Sequence, residues 1–166
     1  MKKELKDLID DCNSDIKYIE RKINYIKKSN LLDKEISYLT NYVLIRVSGT
    51  VELVYRSIIA DYFSTKLSDN RIDRYLNSTI RNGSMSAEYD NMCNLLDKFD
   101  EKWSKEFKQK VEKKLNKEKI KSTSHSLVSN RHLFAHGKTP SATFKDIKQY
   151  YEDILKLIEI FDSVVK

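Results

Sequence analysis

The residues that turn a chain sharply are scarce in this sequence: its 166 residues include three glycines and one proline. That is too few for the many tight turns of an all-β fold. No uninterrupted apolar run approaches the roughly 18 residues that a membrane span requires. The charged start Met1-Lys2-Lys3-Glu4 leads into no apolar secretion segment, so the chain is expected in the cytoplasm, away from any membrane. Cysteine is equally sparse. Cys12 and Cys93 are far apart, match no metal or redox spacing and are expected as buried, reduced thiols rather than a disulfide. What remains is a chain rich in Lys, Glu, Leu, Ile and Asp, of a length that suits one core. The expected class is all-α: an up-and-down bundle of about five to seven helices, in one domain spanning residues 1–166.

Hydrophobic periodicity places those helices. Leu5, Leu8, Cys12, Ile16, Ile19, Ile23 and Ile26 step by three and four from Glu4 to Lys28. A second helix, with Asp33 as its expected cap, runs to about Lys66. It is apolar nearly all round and therefore central, and its Gly49 is tolerable where another helix crosses closely. Ser68 or Asp69 opens a shorter helix ending at Asn82-Gly83, and Ser86 opens another through Phe99. Trp103, Phe107, Val111 and Leu115 then recur every four residues on a basic helix. The stretch Lys102–Lys121 holds nine lysines against three glutamates, within a formal charge of +6 for the chain. Lys105, Lys108, Lys110, Lys113 and Lys114 are candidate RNA contacts, because neutralising phosphates releases counterions. The same pattern also suits a surface helix docked by its aromatic stripe or, more weakly, an amphipathic helix at a membrane. Ser122-Thr123-Ser124 suggests a fresh helix start, Gly137 a left-handed cap, and Thr143 with Asp146 a capping box for the last helix.

All three histidines, His125, His132 and His136, fall within twelve residues. At roughly 100° per residue they project to one stripe, so a metal site has to be weighed. His132 and His136 have the spacing of zinc ligands, but Leu133 follows His132 where a His-Glu-x-x-His motif has its carboxylate, and no cysteine lies nearby. Arg131 with His136 suits phosphodiester chemistry instead. Guanidinium forks onto phosphate oxygens, and imidazole exchanges protons near neutrality. The two residues converge if the helix ends between them. RNA cleavage needs a base for the 2′-hydroxyl, an acid for the departing 5′-oxygen and positive charge on the phosphorane. One Arg and one His fall short of that set, and a twofold dimer would double it.

The run Ser129-Asn130-Arg131-His132-Leu133-Phe134-Ala135-His136-Gly137 resembles the signature of the HEPN family: an arginine, four to six residues, then a histidine, here with alanine and glycine flanking His136. The order of helices, with a long central one carrying Arg46 and Glu52, is similar to the RiboL-PSP-HEPN branch, and the likeness covers most of the chain. The resemblance implies a HEPN-like helical domain that is a cofactor-free, metal-independent endoribonuclease. It implies a homodimer through the motif helix and products with 2′,3′-cyclic phosphate and 5′-hydroxyl ends. Arg131 would hold the scissile phosphate and His136 would act as general acid or base. Asn130 and His132 flank the pair as supporting candidates. The family's setting implies toxin-antitoxin or anti-phage defence, with a partner protein holding the enzyme in check. HEPN-like domains also serve as non-catalytic RNA-binding or protein-interaction modules, which is the competing expectation. Ser48, Glu52 and Arg56 form a polar stripe on the second helix. An ion pair between Glu52 and Arg56 is preferred there over a supporting catalytic role for Glu52.

Overall fold

In the computed structural model the described residues are 1–28 and 33–166, with Asp33 described by its backbone alone. Among them lie seven α-helices and no strand: α1 (Lys3–Lys28), α2 (Asp33–Leu67), α3 (Asn70–Tyr75), α4 (Tyr89–Phe99), α5 (Glu101–Lys114), α6 (Lys117–Ala135) and α7 (Phe144–Val164). A π-helical turn, Leu76–Arg81, prolongs α3. The cap expected at Asp33 rests on a side chain outside the described residues.

Helix α2 is the axis of the packing, as its apolar circumference requires. Val43, Leu44, Val47, Val51, Val54, Tyr55 and Ile59 are fully buried, and α2 packs on α1, α6, α7 and the π turn. The expected close crossing at Gly49 is absent. Gly49 is exposed, and a Cβ built there would meet nothing within 4 Å. Helix α5 docks by its aromatic stripe: Trp103 sits edge-on to Tyr62 at 5.1 Å, and Phe107 lies between Tyr89 and Phe161 at 5.8 and 5.7 Å. Cys12 and Cys93 are buried free thiols, and burial pushes both thiol pKa values up. No described helix is long and apolar enough to cross a membrane.

Two helix starts differ from expectation, for related reasons. Helix α6 begins at Lys117, where the Asn116 side chain accepts from the Lys119 amide, and it runs unbroken through Ser122-Thr123-Ser124. Ser124 is buried, and its hydroxyl accepts the amide of Tyr89 at 3.2 Å, so a residue read as a local cap serves the start of a different helix. Residues 84–88 are not helical, and α4 begins at Tyr89 rather than Ser86. The Thr143–Asp146 capping box forms as expected and opens α7.

Candidate active site at the end of helix α6

The last turn of α6 closes through a full left-handed cap. Gly137, with φ of 71°, donates to the Phe134 carbonyl, and Lys138 donates to that of Leu133 at 2.9 Å. A side chain is strained at that φ, and glycine is not. The His136 amide still donates to the His132 carbonyl at 3.1 Å, so His136 keeps helical register with His132. The two exposed imidazoles consequently meet, with ring centroids 4.2 Å apart. Helix α6 thus ends at Ala135, between Arg131 and His136 as expected, but its closing turn sets His136 beside His132.

Arg131 reaches the other way, toward α2. Its Nη2 lies 3.7 Å from Oε2 of Glu52, the guanidinium being 41% exposed and the carboxylate 11%. The expected side-chain pair between Glu52 and Arg56 does not form, because Arg56 Nε donates to the Glu52 backbone carbonyl at 2.8 Å. Burial raises the pKa of Glu52, and the charges of Arg131 and Arg56 only partly oppose the rise.

The facing wall is the segment before α4. One helical turn beyond Glu52, the Tyr55 hydroxyl donates to the carbonyls of Met85 and Ser86 at 3.1 and 3.0 Å. Asn91 Nδ2 donates to Ser86 Oγ at 2.9 Å. Ser84, Met85, Ser86 and Asn91 with Glu52, Val128, Arg131 and His132 enclose an open pocket of about 450 Å³. Sequence reading missed this wall. Its residues lie some forty positions from the motif and carry no local signal, since the clamp depends on α2 and α6 packing side by side.

Other expected site residues lie elsewhere. Asn130 is buried: its Nδ2 donates to the Ser126 carbonyl, and its Oδ1 accepts the amides of Ser141 and Ala142 at 2.8 and 2.9 Å. It pins the segment after Pro140 to α6 and does not line the pocket. His125 turns to Glu88 at 3.4 Å and Ser129 at 3.2 Å. The three imidazoles thus do not converge, and the described residues include no group of three or more His, Cys, Asp or Glu able to hold a metal ion. The α5 lysines are not gathered at the pocket either, since α5 packs on α4 and α7. Lys105, Lys108, Lys113 and Lys114 are exposed, whereas Lys110 is half-buried against Glu106 and Ser163.

The end of α6 thus offers a half-exposed guanidinium backed by a buried carboxylate, and two neighbouring imidazoles, tilted 58° to each other and open to solvent. Fixed positive charge and proton-exchanging groups side by side are what phosphoryl chemistry requires. A family model described as RiboL-PSP-HEPN matches residues 7–166 of the chain. No curated protein and no solved structure matches it.

Proposed function

The chain belongs to the RiboL-PSP-HEPN family, whose domains point to an RNase or RNA-binding role, and on that premise we propose that it is a metal-independent endoribonuclease acting as a homodimer. The observation that carries the reading is that Glu52, Arg131 and His132 line one pocket, with Arg131 paired to Glu52 and His136 against His132. Arg131 grips the scissile phosphate and stabilises charge on the phosphorane. Its 3.7 Å separation from Glu52 exceeds a hydrogen bond, so the carboxylate steers the guanidinium without occupying its donors. His136 exchanges the proton, and His132 supports its ring. The 2′-oxygen loses its proton to a base and attacks phosphorus, while the 5′-oxygen leaves with a proton from an acid. The products end in a 2′,3′-cyclic phosphate and a 5′-hydroxyl.

In-line displacement needs base and acid on opposite sides of phosphorus, yet His132 and His136 stand ring against ring on one side. A second copy across a twofold axis provides the missing side. Phe134, within the motif on α6 and 39% accessible, suits such a seam. The proposal extends to a single helical domain over residues 1–166 in the cytoplasm, with a role in toxin-antitoxin or anti-phage defence and a partner protein covering the cleft. Family likeness carries that wider role.

Incubating the purified protein with labelled RNA, with and without chelator, tests the enzyme. The expected result is chelator-resistant cutting with cyclic-phosphate ends, abolished in His136→Ala and in Arg131→Ala. Cutting that requires a divalent ion, or that survives both substitutions, overturns it. RNA binding without cutting identifies a non-catalytic module instead.

A further inference from the structure

Most of the large apolar side chains lie in the core, yet three tyrosines stand open on one ridge. Tyr18 of α1 is 52% exposed, and Tyr38 and Tyr42 of α2 are 61% and 50% exposed. Together with Asp15, Ile19 and Leu39 they line one shallow hollow of about 430 Å³. Cations are interleaved with the rings: the Lys22 ammonium lies 5.4 Å from the Tyr18 ring centroid, and that of Lys34 lies 5.9 Å from Tyr38. The one carboxylate in the hollow, Asp15, accepts from Arg46 Nε at 2.7 Å and is thereby neutralised. A surface of exposed aromatic rings interleaved with ammonium groups complements stacked bases joined by phosphates.

The ridge also leads to the pocket. At roughly 100° per residue, Tyr38, Tyr42, Ile45, Gly49 and Glu52 fall on one stripe of α2, within about 40° either side of its midline. Along that stripe Ile45 and Gly49 are exposed, and the position a Cβ would take at Gly49 is open. A strand lying there meets no projecting side chain at Gly49, just before Glu52 and Arg131. The span from Tyr38 to Glu52 is roughly 21 Å at about 1.5 Å per residue, room for several nucleotides.

We infer that the tyrosine ridge of α1 and α2 is a base-stacking track for single-stranded RNA, leading one flank of the substrate into the Glu52–Arg131 pocket. This rests on the ribonuclease reading for the strand's destination, and its test is separate from cleavage. The test uses the His136→Ala protein, which blocks cutting, and measures anisotropy of a short fluorescein-labelled single-stranded RNA at fixed salt. Tyr18→Ala, Tyr38→Ala and Tyr42→Ala should each weaken binding about tenfold, the loss of one stacked base. The matching Tyr→Phe variants should stay within about twofold, because stacking needs the ring and not the hydroxyl. A duplex of the same sequence, whose bases are already stacked, should bind without sensitivity to the tyrosines.

Alanine variants that bind single-stranded RNA as the parent does would overturn the track. So would sedimentation in which they lose the dimer while affinity per dimer is unchanged, because the ridge is then a seam between copies. RNA cutting by the wild-type protein with tyrosine-independent binding sinks the track and spares the enzyme. Tyrosine-dependent binding without cutting does the reverse.

Discussion

Helix α6 meets a buried carboxylate at each end, and the two meetings are built in opposite ways. Near its start, Lys119 Nζ lies 2.7 Å from Asp153 Oδ2 of α7, and Lys156 adds a donor to Oδ1 at 3.4 Å. Near its end, Arg131 stands 3.7 Å from Glu52 of α2, and Glu52 has no other ion pair among the described residues. Burial raises the pKa of Asp153, but hydrogen bonds from Lys119, Gln149 and Lys156 outweigh it and hold the group below the usual carboxylate range. At Glu52 burial wins, and the pKa is raised. The first is a close ion pair that joins two helices. The second leaves its guanidinium partly free at an open pocket, as the proposed grip on a phosphate requires.

Exchanging the cations sets the two pairs furthest apart. Arg131→Ala should lower single-turnover RNA cleavage about 100-fold to 1000-fold, the usual loss for one donor to a developing oxyanion, with little change in thermal midpoint. Lys119→Ala should do the reverse: cleavage unchanged, midpoint lowered. If both variants cut equally well, the contrast between the two ends of α6 has no catalytic meaning.

The carboxylates come next. Asp153→Ala should cost about 2 kcal/mol in denaturant unfolding, or roughly 4 to 8 °C in Tm for a chain of this size. Because the Asp153 pKa is depressed on folding, its contribution is present above the unfolded value of about 3.9 and is lost as pH falls through the folded one. Asp153→Asn should therefore flatten the acid limb of a stability–pH curve.

A smaller effect concerns the ending that holds His136. Gly137→Ala, at φ of 71°, should cost about 1 kcal/mol by thermal unfolding and disturb the His132–His136 contact. An unchanged midpoint would mean that the cap does not set this end of the helix.

The smallest effect has the opposite sign. The Glu52 pKa is raised on folding, so ionised Glu52 costs stability above its folded pKa, and that cost disappears below the unfolded value of about 4.3. Glu52→Gln should raise stability near pH 7 by up to about 1 kcal/mol. Loss of stability in that variant would mean that Glu52 is a structural anchor like Asp153.

The helices and the core were largely legible in the sequence because each rests on a local period. The apolar steps of α1 and α7 and the Thr143–Asp146 box depend on residues within one helix and its cap. Gly137 was legible for the same reason. Ser124 and Ser86 misled because their hydroxyls and carbonyls serve partners more than one helical turn away. Glu52 misled because two arginines competed for it, and only packing chose the distant one.

The order of residues alone thus determined an all-helical chain with its centre on α2 and a motif at the end of α6, since periodicity and caps act over a few residues. Which carboxylate faces Arg131 and which wall closes the pocket were decided by tertiary structure. Those contacts join positions that become neighbours only when helices pack, and their energies depend on burial, which no local pattern contains.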